Sequence, residues 1–207
     1  MTKELSKLEQ QIQKFMPFNE QEEHDKAILL KWFESGSDIL TRENEIAHLT
    51  ASAWVVSPDK KSALMAYHNI YHSWAWLGGH ADGDADLHHV AQKEVMEESG
   101  LTHVKFLLDE PFSIEILSVD GHIKKGNYVC THLHLNVTYL MEADPKDAVQ
   151  NRPEENSAVA WIRVDQIAEK STEPWFVEHV YAKLCEKMQV KFRGRLSDLK
   201  FSEKGLK

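Results

Sequence analysis

Three glutamates near the end of a predicted helix are the residues whose spacing points most directly to chemistry. Glu94, Glu97 and Glu98 stand at positions i, i+3 and i+4, so a helix would bring their carboxylates within reach of one ion. Oxygen ligands without cysteine or histidine favour Mg²⁺ or Mn²⁺ over zinc. Because Mg²⁺ usually borrows phosphate oxygens from a substrate, the pattern predicts metal-assisted phosphate chemistry. The alternative is a solvated acidic patch at a helix end.

The helical period places these acids beside apolar residues. Gly100 has the character of a C′ residue, so the acids stand at the negative end of the helix dipole. Both placements cost free energy that a bound cation would offset. Ser99 is expected on the opposite face. The predicted apolar side carries Leu87, Val90, Ala91, Glu94, Glu98 and Leu101, with Glu97 at its margin.

The stretch from Gly79 to Leu101 resembles the Nudix box. That signature reads Gly, five residues, Glu, seven residues, then Arg-Glu-apolar-x-Glu-Glu-x-Gly-apolar. Gly79 takes the glycine position, and residues 94–101 fill the C-terminal half at the family's spacing. The wider arrangement, with a box opening of Gly-Gly-His-Ala-Asp-Gly-Asp and a leading helical segment, resembles a bacterial subgroup of Nudix proteins.

Two positions depart from the family pattern. Ala85 replaces the first glutamate, and Lys93 replaces the arginine, offering a point charge without the planar fork. Asp84 either takes over the lost acid's role or is a plain turn residue. Asp86 is expected to cap the helix.

The resemblance implies an α/β (α+β) fold with a mixed β-sheet sandwiched between helices. It implies hydrolysis of a diphosphate linkage in a nucleoside diphosphate joined to another group X. The backbone carbonyl of Gly79 and the carboxylates of Glu94, Glu97 and Glu98 would hold Mg²⁺ or Mn²⁺, and Lys93 would steady the acids. The base would be one of these glutamates or a loop acid outside the box, Glu154 or Glu155.

Two other functions are compatible with a Nudix-like sequence. A catalytically weak, nucleotide-sensing module is suggested by Ala85 and Lys93. An isoprenoid diphosphate isomerase on a related fold would need a catalytic cysteine, and residues 74–80 contain none.

Histidines supply a second set of candidate residues. Residues 128–141 alternate as a strand, and one face carries Cys130, His132, His134, Asn136 and Thr138. This face either meets water or lines a pocket that contacts substrate; zinc is a third interpretation, for which a spaced third ligand is lacking. His80 follows Gly79 and would either donate to a phosphate or serve only as a turn residue. His80, His132 and His134 are therefore the predicted substrate-binding residues.

The rest of the chain suggests three segments: an N-terminal helical extension (1–44), a Nudix domain (45–190) and a basic tail (191–207). Helices are expected over residues 3–16 and from Asn19, where Glu22 has the capping-box position. The second helix is expected to bury Ile28, Leu29 and Trp32, with Phe33 as a further candidate. The apolar faces of these two helices would dock on the catalytic domain or on a second subunit of a homodimer.

The amino-acid composition limits the kinds of binding partner that are expected. A net charge of −9 over 207 residues argues against nonspecific nucleic-acid binding and leaves a small-molecule substrate. The sequence has no signal-peptide pattern and no membrane-spanning stretch, so a cytoplasmic location without membrane partners is expected. Cys130 and Cys185 are expected to be buried free thiols.

Overall fold

The computed structural model describes residues 3–124 and 126–192, so most of the predicted basic tail lies outside the described residues. The predicted α/β (α+β) class, a mixed β-sheet with flanking helices, is confirmed. The helices are α1 (Lys3–Lys14), α2 (Glu20–Glu34), α3 (Leu87–Ser99), α4 (Ile167–Lys170), α5 (Pro174–Phe176) and α6 (Ala182–Lys191). The strands are β1 (Ala47–Val56), β2 (Ser62–His68), β3 (Ser73–Ala75), β4 (Leu77–His80), β5 (Lys105–Phe106), β6 (Ser113–Val119), β7 (His122–Lys124), β8 (Asn127–Val129), β9 (His132–Glu142) and β10 (Asn156–Arg163).

The chain folds as two compact units. The first comprises the described residues of 1–52, 78–92 and 108–139, and the second those of 53–77, 93–107 and 140–207. In the first unit β6 pairs antiparallel with β9, from Ser113 opposite Thr138 to Val119 opposite His132. In the second unit β2 pairs antiparallel with both β10 and β3. Strands β1 and β9 and helix α3 contribute residues to both units.

Helix α2 begins with the expected cap and packs on β6. The Asn19 side chain accepts a hydrogen bond from the Glu22 backbone N–H at 3.0 Å, and the Asp25 carboxylate accepts one from the Ile116 N–H at 3.2 Å. The Glu22 side chain, however, is fully buried. Its carboxylate accepts bonds from the Phe18 N–H and from the Ser113 hydroxyl, at 2.8 and 2.6 Å. Glu22 therefore anchors the helix to the strand as well as closing its first turn.

Several burial predictions for the N-terminal helices need correction. Leu8, Ile12, Leu29 and Phe33 are buried as their spacing indicates. Ile28, by contrast, is 39% exposed, and Trp32 is only half-buried. The buried face of α2 is centred on Leu29 and Phe33. Glu22 and Asp25 lie on the same side, and their carboxylates accept hydrogen bonds from residues of β6, which fixes this face against the strand.

Two other predicted elements differ in the structure. Residues 128–141 form two strands, β8 and β9, because the chain leaves the extended ladder at Cys130 and Thr131. Cys130 is half-exposed, whereas Cys185 is buried as expected. The predicted last helix is interrupted by a π-helical turn at Val177–Tyr181. None of the described helices is long and apolar enough to cross a bilayer.

Candidate active site

Helix α3 carries the predicted acids and has the expected ends. The Asp86 side chain accepts a hydrogen bond from the His89 N–H at 3.2 Å, which caps the first turn. Gly100 has φ of +70° and its N–H bonds to the Met96 carbonyl, as a C′ glycine does. A side chain at position 100 would also lie 3.1 Å from Gln150.

The position of the missing first glutamate is apolar and buried. Ala85 is 9% exposed. The Asp84 carboxylate accepts a bond from the Asp86 N–H at 2.9 Å and lies 2.7 Å from the His89 ring. These contacts give Asp84 a role in the turn that leads into α3.

Two of the three box glutamates are largely withdrawn from solvent. Glu98 is 7% exposed and the Glu94 side chain 14%, whereas the Glu97 side chain is 40% exposed. The prediction for Ser99 was wrong: it is fully buried, and its hydroxyl donates to the Val95 carbonyl at 2.5 Å. Because the small serine satisfies its own hydroxyl within the helix, it can face the core.

The charge state of Glu94 reflects this placement. Burial is the main cause that raises the pKa of Glu94 above its ordinary value of 4.5, and the negative charges of Glu97 and Glu155 raise it further. The cations Lys93 and Arg152 act in the opposite direction. A carboxylate at this position is costly without a nearby positive charge.

Lys93 and Arg152 provide cations among the acids. The Lys93 ammonium lies 3.9 Å from Glu94 and 3.8 Å from Glu97. The Arg152 Nη1 atom lies 3.0 Å from Glu97 Oε2 and 3.4 Å from Glu155 Oε2. Arg152 was not predicted as a site residue from the sequence; the only available signal was one arginine in a loop that also holds two glutamates.

The structure distinguishes the two candidate loop acids. Glu154 has a side chain that is 79% exposed and lies 3.9 Å from Arg152. Glu155 lies closer to Arg152, and its charge contributes to the raised pKa of Glu94. Of the two, Glu155 is therefore electrostatically part of the acidic group on α3.

Hydrogen bonds to backbone carbonyls of α3 hold the loop that precedes β10 against the end of this helix. The Asn156 side-chain amide donates to the Glu98 carbonyl at 3.1 Å, and the Gln150 N–H donates to the Ser99 carbonyl at 2.7 Å. These bonds satisfy two carbonyls that a helix C-terminus leaves open. An open pocket of about 350 Å³ lies here, lined by Glu97, Gly100, Gln150, Asn151, Arg152 and Pro153.

The box acids do not converge as tightly as a preformed metal cage would. Among the described residues, the potential ligands that meet as a group of three or more are four histidines, and the glutamates form no such group. The hard oxygen donors and the buried position of Glu94 nevertheless suit a divalent ion that keeps waters and takes phosphate oxygens. Gly79 lies in β4 of the first unit, and the predicted ligand role of its carbonyl stays a prediction.

The four histidines form a cluster in the first unit. The ring nitrogens of His48, His80, His132 and His134 all lie within 4.8 Å of one another. Nothing in the sequence pairs the first two with the others, since 84 residues separate His48 from His132. Burial is the largest cause that lowers the pKa of His80 to about 3 and that of His134 to about 2. These rings are therefore neutral near pH 7.

Most of the polar face of β9 is buried, so the alternative in which this face meets water is wrong. Asn136 and Thr138 are almost fully inaccessible. The Asn136 carbonyl oxygen accepts bonds from the Thr50 and Ser52 hydroxyls, each at 2.9 Å, and its amide donates to Glu115 at 2.9 Å. Thr138 also donates to Glu115. The polar residues of this face bond to one another inside the unit.

A family comparison agrees with the box. The family model that describes the NUDIX domain matches residues 46–184 of the sequence, which is more than half of the chain. A comparison of the sequence with curated proteins found no match.

Solved structures similar to this fold include three hydrolases. An Ap4A hydrolase of C. elegans is 17% identical, with 70% of this chain and 98% of that chain covered and a TM-score of 0.47. A NUDIX-family hydrolase from Clostridium perfringens is 16% identical, with 70% and 97% covered and a TM-score of 0.49. The E. coli dihydroneopterin triphosphate pyrophosphohydrolase is 13% identical, with 65% and 95% covered and a TM-score of 0.48. These similarities say nothing about the substrate of this chain.

Proposed function

This chain belongs to the Nudix family of pyrophosphohydrolases, and we propose that it hydrolyses a diphosphate linkage in a nucleoside diphosphate derivative with the help of Mg²⁺ or Mn²⁺. The observation that carries the proposal is the pair of largely buried acids on α3. Glu94 and Glu98 lie on one helix with Glu97 and beside apolar residues, and burial there raises the pKa of Glu94. A divalent ion bound by these carboxylates would neutralise negative charge on the phosphate oxygens.

Glu97 differs from Glu94 and Glu98 in its exposure to solvent and in its contacts with cations, so we propose a different role for it. It is the most exposed of the three, it borders the open pocket, and Arg152 and Lys93 both contact it. The two cations hold the Glu97 carboxylate at the pocket edge and compensate charge there. Arg152 thus supplies the planar guanidinium that the box itself lacks at Lys93.

We place the acceptor of the water's proton on Glu97 or Glu155. Both carboxylates contact Arg152, which lines the pocket. Glu154 is a weaker candidate because its side chain is turned largely into solvent. A general base must reach the attacking water within hydrogen-bond distance; Glu97 lines the pocket itself, and Glu155 lies 3.4 Å from the Arg152 guanidinium.

The substrate proposal is limited to a chemical class. The pocket of about 350 Å³ falls within the range of small-molecule sites, and its lining includes the Arg152 guanidinium and the Glu97 carboxylate. Arginine is well suited to phosphate and carboxylate groups because its donors are arranged as a fork. A nucleoside diphosphate linked to a sugar or a second nucleotide matches this chemistry.

The test is a panel of ADP-ribose, nucleotide sugars and dinucleoside polyphosphates, each incubated with Mg²⁺, with Mn²⁺ and with EDTA. We expect metal-dependent release of phosphate-containing products from at least one member. Hydrolysis in ¹⁸O-labelled water, followed by mass spectrometry, then identifies the phosphorus that water attacks. Turnover that is equally fast in EDTA would contradict the metal-dependent mechanism.

A second candidate function is a nucleotide-sensing module with weak catalysis. It is favoured by the buried methyl group of Ala85 at the position of a family glutamate, with Asp84 occupied in the turn. Calorimetry with the same panel separates the two functions. Micromolar binding without turnover of any member supports the sensor, and turnover supports the hydrolase.

A further inference from the structure

We propose that His48, His80, His132 and His134 form a binding site for a tetrahedrally coordinated transition-metal ion, and that this ion is Zn²⁺. The site is separate from the acidic group on α3 and has a different donor chemistry. Four imidazole nitrogens favour zinc, copper, nickel or cobalt, whereas Mg²⁺ and Mn²⁺ prefer the oxygens of carboxylates. The ligands come from β1, β4 and β9, and all four histidines belong to the first unit.

The hydrogen bonds of two histidines fix where their lone pairs lie. The Nδ1 atom of His48 lies 3.0 Å from the Asn44 carbonyl, and Nδ1 of His132 lies 2.8 Å from the Cys130 carbonyl. A carbonyl oxygen only accepts, so each Nδ1 carries the proton and donates it. In a neutral ring the Nε2 atom then holds the lone pair. Backbone carbonyls orient metal-binding histidines in the same way.

His48 has a buried nitrogen whose partner is missing. It is 4% exposed, and its Nε2 atom is buried with no hydrogen-bond partner among the described residues. Since this nitrogen is an acceptor, it needs a proton donor or a metal ion. The centroid of the His48 ring lies 4.9–5.3 Å from those of the other three cluster members.

One pair of ring nitrogens has the spacing of tetrahedral coordination, within a cluster whose ligand nitrogens all lie within 4.8 Å of one another. Zinc binds imidazole nitrogen at about 2.0–2.1 Å, which places two ligand nitrogens of a tetrahedron about 3.3 Å apart. The Nε2 atoms of His132 and His134 are 3.2 Å apart. The same geometry places ring centroids about 5 Å apart, and the His80–His134 and His132–His134 centroids are 4.8 and 5.1 Å apart.

A network of histidines without metal explains less of this geometry. A proton on His134 Nε2 would make its contact with His132 an ordinary hydrogen bond. That proton would not serve His48 Nε2 at the same time. One ion at the centre satisfies all four rings. With four protein ligands and no open coordination position on the ion, the site would be structural and would stabilise the packing of the three strands.

Zinc binding to the full chain tests the proposal. Metal-stripped protein is titrated with Zn²⁺ against a chromophoric chelator, with excess Mg²⁺ present to occupy carboxylates. We expect one tightly bound zinc per chain and a higher melting temperature for the zinc-loaded wild type. The His48→Ala and His134→Gln variants should bind zinc at least about 100-fold more weakly. The matched control, His24→Ala, removes an exposed histidine of α2 and should bind as the wild type does.

A spectroscopic readout keeps the test decisive if a variant folds poorly. Co²⁺ added to the stripped wild type should give the intense visible bands of a tetrahedral ion, and X-ray absorption of the zinc form should show four nitrogen ligands at about 2.0 Å. A wild type that binds no zinc, or binds it as weakly as His48→Ala does, would overturn the proposal. A six-coordinate cobalt spectrum would overturn it too, and would leave bound water as the partner of His48.

Discussion

The Nη1 atom of Arg152 lies 3.0 Å from Oε2 of Glu97, across 55 residues of sequence. This contact joins a loop arginine to the box helix at the edge of a pocket. It puts a guanidinium beside the acids of α3, where Lys93 alone would offer only an ammonium nearly 4 Å away.

Replacement of Arg152 by alanine should weaken metal binding. Without the guanidinium, the Glu97 carboxylate loses its fixed orientation, and partners of this kind are worth about 10–100-fold in metal affinity. We expect the Mg²⁺ concentration for half-maximal hydrolysis to rise by that factor. Arg152→Lys should recover part of the loss. Arg163→Ala, which removes an exposed arginine paired with Asp165, is the control.

An opposite result would assign Arg152 a different role. If Arg152→Ala raises the KM for the nucleotide and leaves the Mg²⁺ dependence unchanged, the guanidinium binds substrate phosphate and does not position Glu97.

Lys93→Arg should increase activity. The longer planar side chain can form two parallel bonds to a carboxylate, whereas the ammonium lies 3.9 Å from Glu94. We expect a gain of about 2–10-fold in kcat/KM at limiting Mg²⁺. Lys105→Arg, on the exposed surface of β5, controls for a general effect of the substitution. A loss of activity in Lys93→Arg would show that this site is shaped around the ammonium.

Sequence and structure agree best where the determinants are local. The cap at Asp86, the C′ glycine at Gly100 and the burial of Glu94 and Glu98 all follow from residues within one helical span. Arg152 could not be predicted, because loop residues carry no periodic signal that says which helix they meet. The burial of Glu22 was missed for a related reason: its partner Ser113 lies 91 residues away.

The histidine cluster shows the same limit. The alternation of β9 places His132 and His134 on one face, but it gives no sign that His48 and His80 join them. Without those two, the zinc interpretation lacked a third ligand. Long-range strand pairing decides which side chains meet, and a single sequence does not encode it in spacing.

Asn136→Ala should destabilise the protein strongly. The asparagine links the Thr50 and Ser52 hydroxyls to the buried carboxylate of Glu115, and each group left unpaired costs about 1–3 kcal/mol. We expect the free energy of unfolding in urea to fall by about 3 kcal/mol. Asn127→Ala, at an exposed position of β8, should change it by less than about 0.5 kcal/mol. Equal stability of the two variants would mean that water replaces the amide.

The stability of the protein should depend on His88 in acid. Its ring packs edge-on against Tyr139 with centroids 5.3 Å apart, and burial lowers the pKa of His88 below the ordinary value of 6.5. As the pH falls through 6.5, the unfolded chain takes up a proton before the folded chain does, so stability is lost from there down to the lowered pKa. His88→Gln lacks this step.

Urea unfolding at a series of pH values measures the difference. The stability of the wild type relative to His88→Gln should decline as the pH is lowered from about 7 to 5. His103→Gln removes an exposed histidine and is the matched control. Parallel stability curves for the wild type and His88→Gln would contradict the assigned shift.

The most direct test of the catalytic account is Mg²⁺-dependent hydrolysis of the best panel substrate by Glu97→Gln and Glu98→Gln. Each change keeps the shape of the side chain and removes its charge, and Glu186→Gln provides a control at an exposed position. We expect kcat/KM to fall by at least about 100-fold in both variants and to stay within twofold in the control. Hydrolysis at the wild-type rate in both variants would show that the carboxylates of α3 do not hold the catalytic metal.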